Sequence, residues 1–321
     1  MAYKYRDSID NVTCLDTDFF GFPLFNAAYI VRGADKIAMV DTGDANSVDY
    51  VRQQIANQGL TMDDISYIFV THTEHPDHSG NVGWLIKDYP HIQVVCGPNG
   101  NSTEFLTNPE IEAAQREKAL PKDTKMAGRF GTMYPVPIEQ IHVAQDGEEF
   151  DLGGGEILKV IVAPGHQPSG IVIEEKKNKG LFINDLAGQY FAEFDMSLIL
   201  TPDRANPLDA LKSLHRIEDN DYDWLYLGHY GICDNANMVI KTAIGRIERL
   251  LSIADKCQSE GRHDEIRAEI FDRVVMPEID KLGRIREESF YQYYLTELGP
   301  NLCNGFARFY DREVLGIEPN F

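Results

Sequence analysis

The N-terminal part of the chain carries short apolar runs separated by turn residues. Asn26-Ala-Ala-Tyr-Ile-Val-Arg32 and Lys36-Ile-Ala-Met-Val-Asp41 flank Gly33-Ala-Asp35 and read as two strands joined by a short turn. Between Ser47 and Leu60 the period lengthens: Val48, Val51 and Ile55 fall on one helical face, and Gly59 supplies a stop. Ile65–Thr71 is rich in β-branched and aromatic residues and reads as a buried strand. A helix is predicted from about Gly80 to Asp88, and Ile92–Cys96 is the next strand. This β-α-β-α-β succession predicts a layered α/β architecture.

Residues 98–145 are less regular. Pro109, Pro121, Pro135 and Pro137 and a charged helix-like stretch over Pro109–Leu120 suggest an insertion or a substrate-covering segment. Strand character resumes with Glu156–Val162, Gly170–Glu174 and Gly180–Asn184. Pro207–Ile217 is a predicted helix, and Trp224–Leu227 a final strand. From about Asn235 the character changes. Met238–Gln258 places Ile240, Ile244, Ile247, Leu251 and Ile253 on one side of a long amphipathic helix. Two more helices are predicted, over about 262–282 and 286–298. We therefore expect an α/β domain over 1–233 and a helical region over 234–321, with no internal repeat.

Composition narrows the partners. Net charge is -21, from 51 acidic and 30 basic residues, and such a surface repels a phosphodiester backbone. No nucleic-acid partner is expected. The opening MAYKYRDSID lacks the apolar core of a signal peptide, and no apolar stretch is long enough to span a bilayer. The expectation is a cytoplasmic protein with no membrane partner. Cys14, Cys96, Cys233, Cys257 and Cys303 are odd in number and lack CxxC spacing. They read as buried small hydrophobes rather than as disulfides or thiolate metal ligands.

Candidate chemistry concentrates in Thr71-His72-Thr73-Glu74-His75-Pro76-Asp77-His78-Ser79-Gly80. Three of the nine histidines fall here within seven residues, between a predicted strand and a predicted helix. Three further places put a ligand type at the end of a predicted strand: Ala163-Pro164-Gly165-His166, Ile183-Asn184-Asp185 and Leu227-Gly228-His229-Tyr230-Gly231. Neutral imidazoles and carboxylates suit zinc, iron or manganese. His91, His142, His215 and His263 have no partner pattern and read as surface or structural residues. Asp151-Leu-Gly-Gly-Gly155 shares only its glycine content with a phosphate loop and reads as a hairpin turn. No Gly-x-Ser-x-Gly nucleophile elbow is present.

The pattern resembles the metallo-β-lactamase superfamily, whose motif is His-x-His-x-Asp-His, then a distal His, a bridging Asp and a last His. The match covers about residues 25–232. The resemblance implies an α/β fold of the four-layer αβ/βα sandwich type, here with a C-terminal helical appendage. It implies that His72, His75 and His166 hold one metal, that Asp77, His78 and His229 hold another, and that Asp185 bridges them. Asp41, in Val40-Asp41-Thr42-Gly43, resembles the family's early Asp-Thr-Gly, whose carboxylate supports the ligands by hydrogen bonding.

The chain departs from the motif at one point: two residues, Thr73 and Glu74, separate His72 from His75, where the family has one. Either His75 keeps the second ligand position with Glu74 turned away, or Glu74 enters the site. The second case resembles the flavodiiron branch, with its His-x-Glu-x-Asp-His, and the 19 positions from His166 to Asp185 are compatible with it. No flavodoxin-like βα repeat follows.

Two activities follow from these branches. The first is a hydrolase of a small ester, thioester or lactone, similar to the glyoxalase II and lactonase branches. It would use two divalent ions, zinc first, with iron or manganese as alternatives. Asp77 would be the catalytic carboxylate, orienting a metal-bridging hydroxide. The second is a diiron protein that binds or reduces oxygen or nitric oxide. Tyr190, Phe191, Tyr230 and Met133 read as core residues or as neighbours of the metals. The apolar stripe of the C-terminal helices could serve a homodimer interface.

Overall fold

The computed structural model describes residues 7–119, 130–285 and 288–317. Pro121 and the middle of the irregular segment 98–145 lie outside the described residues. The chain divides into two compact units: Met1–Ala163 with Pro168–Asn184 and Asp221–Ala236, and Pro164–Gln167 with Asp185–Asn220 and Asn237–Phe321.

The first unit holds two large sheets. One runs in chain order: β1 (Ser8–Ile9), β2 (Val12–Asp16), β3 (Ala27–Arg32), β4 (Ile37–Val40), β5 (Ile65–Phe69), β6 (Gln93–Cys96) and β7 (Ile141–Val143). The first four pair antiparallel. From β4 onward the pairing is parallel. Parallel return needs a crossover, and α1 (Val48–Asn57), α2 (Pro76–Ser79), α3 (Val82–Ile86), α4 (Ser102–Thr107) and α5 (Pro109–Ala119) supply the crossovers.

The other sheet contains β8 (Glu149–Gly153), β9 (Glu156–Val162), β10 (Ile171–Glu175) and β11 (Gly180–Phe182), with Trp224–Tyr226 parallel to β11 and Ile232–Cys233 beyond it. Trp224–Tyr226 is thus not the last strand. Two residues, Ile232 and Cys233, add an edge too short to show an alternating pattern. The glycines after Asp151 make the β8–β9 hairpin expected of them, with Gly154 and Gly155 at φ of 67° and 83°.

Strand periodicity of two separates the cores. Tyr29, Val31, Ala38, Val40, Phe69 and Val95 face Phe150, Leu158, Val160, Ile171, Ile173 and Phe182 between the sheets. Their neighbours Ala28, Ile30, Met39, Ile68 and Val94 pack on the other side against Val51 and Ile55 of α1 and Val82, Leu85 and Ile86 of α3. Each of the larger side chains contributes about 1.5–3 kcal/mol by leaving water.

The second unit holds the hairpin of Gln189–Phe191 with Met196–Leu198, then α6 (Pro207–Ile217) and α7 (Ala236–Ser259). Asn206 caps α6, accepting from the amides of Leu208 and Asp209 at 3.0 and 3.2 Å. Helical structure then covers His263–Ile285 and Ser289–Leu315. The last run continues well beyond the expected stop at 298.

Gly299-Pro300 is a helix-ending signal in sequence, yet the helix passes through it. The turn before it, Tyr294–Leu298, widens to π geometry, and Phe271–Val275 does the same ahead of Met276-Pro277. A wider turn accommodates the missing proline donor and the crowded carbonyl behind the ring. Tight packing holds the run in place: a Cβ on Gly299 would stand 3.1 Å from Ile279 Cδ1 and from Val275 Cγ1. Buried Glu278 accepts from Arg246, Lys281 and the Ser197 amide, tying α7 to the hairpin. Among the described residues no helix is long and apolar enough to cross a membrane.

One buried acidic pair lies at the margin of the first unit's core. Glu156 opens β9 and Glu175 closes β10, at 0% and 1% exposure. Asn11 donates to Glu156 at 2.5 Å, and Tyr226 donates to Glu175 at 3.0 Å. Loss of water, and next the Glu175 charge, raise the Glu156 carboxyl from 4.5 to about 7. The folded state therefore keeps a proton that the unfolded chain releases. Stability should fall as pH rises from about 4.5 through 7, by up to about 3 kcal/mol in the metal-free protein. Urea unfolding across that window should show the decline, and Glu156→Gln should lessen it. An undiminished slope in the variant would refute the assignment.

Candidate metal centre

The candidate ligands of the first unit sit on loops at the carboxyl ends of parallel strands, where open α/β sheets gather ligand-binding side chains. Asp41 follows β4, His72 follows β5, Asn184 follows β11 and His229 follows Trp224–Tyr226. Three residues of these loops, Asp41, Asn184 and Tyr230, adopt left-handed φ of 56°, 47° and 66°. Such conformations cost on the order of 1–3 kcal/mol each and cluster where function demands them.

Asp77, His78 and His229 are buried, and each brings one ligand atom within 4.8 Å of the others. His72 stands beside them, its ring centroid 5.2 Å from that of His78. The rings are held from behind. His229 Nδ1 meets the Phe25 carbonyl oxygen, which can only accept, so Nδ1 carries the proton and Nε2 presents a lone pair. His78 Nδ1 lies 3.4 Å from Asp41 Oδ2, and His72 Nδ1 lies 3.4 Å from Thr71 Oγ1. Asp41 in turn accepts from the Thr71 amide at 2.9 Å, the Thr71 hydroxyl at 2.8 Å and Asn184 Nδ2 at 2.6 Å. A ring nitrogen anchored on a carbonyl or carboxylate, with the other aimed at neighbouring donors, is the arrangement of metal-binding histidines. Two imidazoles and a carboxylate fit a divalent transition metal.

The two residues around the extra position behave differently. His75 is partly exposed, with its Nδ1 on Asp77 Oδ1 and its ring edge-on to Phe130. Glu74 is buried and faces another corner. It accepts from the Ser169 amide at 3.0 Å, from the Ser169 hydroxyl, and from the Thr73 amide at 3.2 Å. A Cβ on Gly100 would lie 2.4 Å from Glu74 Oε1, so a residue with a side chain there would displace the carboxylate.

In the second unit, His166 Nε2 lies 3.4 Å from Asp185 Oδ2. The Pro164–Gln167 turn is fastened to α6: the Asn206 amide donates to the Gly165 carbonyl and the Ser213 hydroxyl to that of Pro164, both at 2.7 Å. Gly165 has φ of 154°, and a Cβ on it would fall 2.4 Å from Ala210 Cα, so only glycine lets the turn seat there.

Tyr190, Phe191 and Tyr230 are buried, and Met133 is partly buried. His142, His215 and His263 each pair with a carboxylate outside the ligand cluster. All five cysteines are buried and reduced, and loss of water raises the Cys96 and Cys303 thiols to about 12. The supporting residues Thr71 and Asn184, Ser169 opposite Glu74, and Asn26, whose amide donates to the Asp77 carbonyl, were not singled out by sequence. Only Asn184 carried a local hint, as a residue tolerant of left-handed φ at a strand end.

The fold and this donor set define an α/β protein with a His/Asp cluster able to hold a metal ion. The profile of the Metallo-beta-lactamase superfamily matches residues 21–229, and the chain belongs to that superfamily. An archaeal member from Sulfolobus tokodaii superposes with a TM-score of 0.62 at 23% identity, over 75% of this chain and 86% of that one. Its likeness, with the two sheets and the C-terminal helices, establishes the metallo-β-lactamase fold.

Over 194 residues the chain is 29% identical to the putative diflavin flavoprotein A 1 of Thermosynechococcus vestitus, a match of 57% of this chain and 28% of that one. Over 99 residues it is 41% identical to the hydroxyacylglutathione hydrolase of Vibrio parahaemolyticus, 30% of this chain and 36% of that one. The chain thus spans roughly a third of the length of each of these relatives.

The Asp41 carboxylate should be irreplaceable by its own amide, because Asn would turn an N–H toward donors. We expect Asp41→Asn to lower the stability of the metal-free protein by about 2–3 kcal/mol and its zinc affinity roughly 10–100-fold. Thermal melts and chelator competition measure the two effects. Native values for both would show that the network does not support the ligands.

Proposed function

We propose that the protein is a metal-dependent hydrolase acting on a small ester, thioester or lactone with two divalent ions, zinc first. The observation that carries this reading is the buried Asp77–His78–His229 cluster, with the His229 proton fixed on the Phe25 carbonyl. The 41% match to an enzyme named for hydrolysing hydroxyacylglutathione supports it. The acidic surface disfavours phosphodiester substrates.

By the family pattern, Asp77, His78 and His229 would hold one ion and His72, His75 and His166 the other, with Asp185 serving both. Bound metal supplies the Lewis acid that polarises the substrate carbonyl and brings the pKa of water to about 7. The remaining work falls to the chain. His75 Nδ1 lies against Asp77 Oδ1, and with the proton on Nδ1 it would hold that carboxylate oxygen in place. Asp77 would orient the attacking hydroxide and help move its proton. His78 and His229, held by Asp41 and by Phe25, keep the site from rearranging as charge develops on the substrate oxygen.

A second reading has one observation behind it. The match to a diflavin flavoprotein covers 57% of the chain, against 30% for the hydrolase. In this reading Glu74 takes the place of His75, the metal is iron, and the reaction is with oxygen or nitric oxide. Glu74 would have to leave Ser169 and Thr73 to do so, which is why the hydrolase stands first.

Metal analysis by mass spectrometry separates the two, on protein purified without added metal and without oxygen. About two zinc or manganese per chain and no colour accord with the hydrolase. About two iron per chain with an oxygen-sensitive visible band would transfer the assignment to redox chemistry. In the hydrolase, Asp77→Asn should retain some metal yet lose roughly 10²–10⁴ in turnover of a thioester or lactone. Near-native turnover would remove Asp77 from the mechanism.

A further inference from the structure

The segment Leu24–Ala27, which leads into the start of β3, touches both ligand-bearing turns of the first unit. Three of its contacts go to the His229 turn through backbone groups of the segment. The Tyr230 amide donates to the Leu24 carbonyl at 2.8 Å, His229 Nδ1 to the Phe25 carbonyl, and the Ala27 amide to the Gly228 carbonyl at 2.9 Å. The fourth goes to the other turn through a side chain: Asn26 Nδ2 donates to the Asp77 carbonyl at 2.7 Å. Asn26 is 1% exposed.

The Asp77 carbonyl needs this donor for a local reason. In a continued helix the Asn81 amide would reach back to Asp77, but α2 is four residues long and that amide donates instead to the Gly43 carbonyl at 3.1 Å. The next carbonyl, of His78, is held from another direction by the Thr42 amide at 2.8 Å and the Thr42 hydroxyl at 3.1 Å. The peptide between Asp77 and His78 is shared by two candidate ligands. Rotating that plane changes ψ of Asp77 and φ of His78 together and so swings both side chains.

We infer that Asn26 is a positioning residue of the metal centre: its amide locks the Asp77–His78 peptide and thereby sets the spacing of Asp77 and His78 relative to His229. This rests on the metal-binding part of the proposed function and not on hydrolysis. Substituting Asn26 breaks the side-chain link to the Asp77 turn, while the backbone links to the His229 turn remain. The effect should therefore appear in metal binding more than in folding.

The test compares Asn26→Asp, which keeps the shape but cannot donate when ionised, and Asn26→Ser with Thr17→Val. Thr17 donates from its hydroxyl to the Asn26 carbonyl at 3.2 Å, so its loss loosens the same loop without touching Asp77. Zinc affinity by competition with a chromophoric chelator, the visible spectrum of the cobalt(II) form, and melting of the metal-free protein are measured on the full chain. Both Asn26 variants should lose roughly 10–100-fold in zinc affinity and shift the cobalt bands. Thr17→Val should lower the melting temperature with affinity and bands unchanged. Native affinity and spectrum in whichever Asn26 variant folds would overturn the inference, as would an equal loss in Thr17→Val. Should the native protein bind neither zinc nor cobalt, the metal reading itself falls and takes this inference with it.

Discussion

A buried carboxylate ties the first unit's site together. Asp41 sits at the end of β4 with almost no access to water, and an ionised group there is tolerable only if its oxygens are satisfied. Its donors come from two other strand ends: Thr71, by amide and hydroxyl, at the end of β5, and Asn184 at the end of β11. His78 lies against the same carboxylate. One carboxylate thus joins both sheets at the edge where the candidate ligands gather, and its hydrogen bonds tie their strand ends together.

That requirement explains the local strain. Asp41, Asn184 and Tyr230 all take left-handed φ, which ordinary side chains avoid. Each lies where a strand must turn sharply enough to aim a side chain across the sheet edge. The packing on both faces of the seven-stranded sheet, with β-branched and aromatic residues in alternate layers, supplies a rigid support for that strain. The same logic operates in the second unit, where Gly165 lets the His166 turn seat against α6.

The extra residue between His72 and His75 is accommodated by giving Glu74 a partner of its own. Its carboxylate takes two amides and a hydroxyl in the corner made by Ser169 and Gly100. An acidic side chain beside a metal-ligand motif invites a ligand role, and its spacing alone leaves that role open. Bonding to Ser169 gives Glu74 a sufficient reason to be buried without a metal.

Signals carried within a few neighbouring residues were legible in the chain. The strands and helices that frame the site follow from periods of two and 3.6, since burial of one face imposes them. The cluster His72, His75, Asp77 and His78 stands out because its members share one turn. The helical run expected over about 286–298 continues to Leu315, because the packing that carries it past Pro300 comes from Val275 and Ile279, outside that run. The same holds for the supports of the site. Asn26 meets Asp77 across 51 positions, Glu74 meets Ser169 across 95, and Asn184 meets Asp41 across 143. Apart from the strand-end position of Asn184, none has a local signature, since asparagine, serine and threonine serve equally in turns and caps. By itself the sequence determined the family, the order of elements and the residues with ligand chemistry, because these depend on side-chain type and short-range period. Which nitrogen of His229 carries the proton, where Glu74 points and what holds the Asp77 carbonyl were decided only by the tertiary structure. Each depends on a hydrogen-bond partner that folding brings from a remote part of the chain.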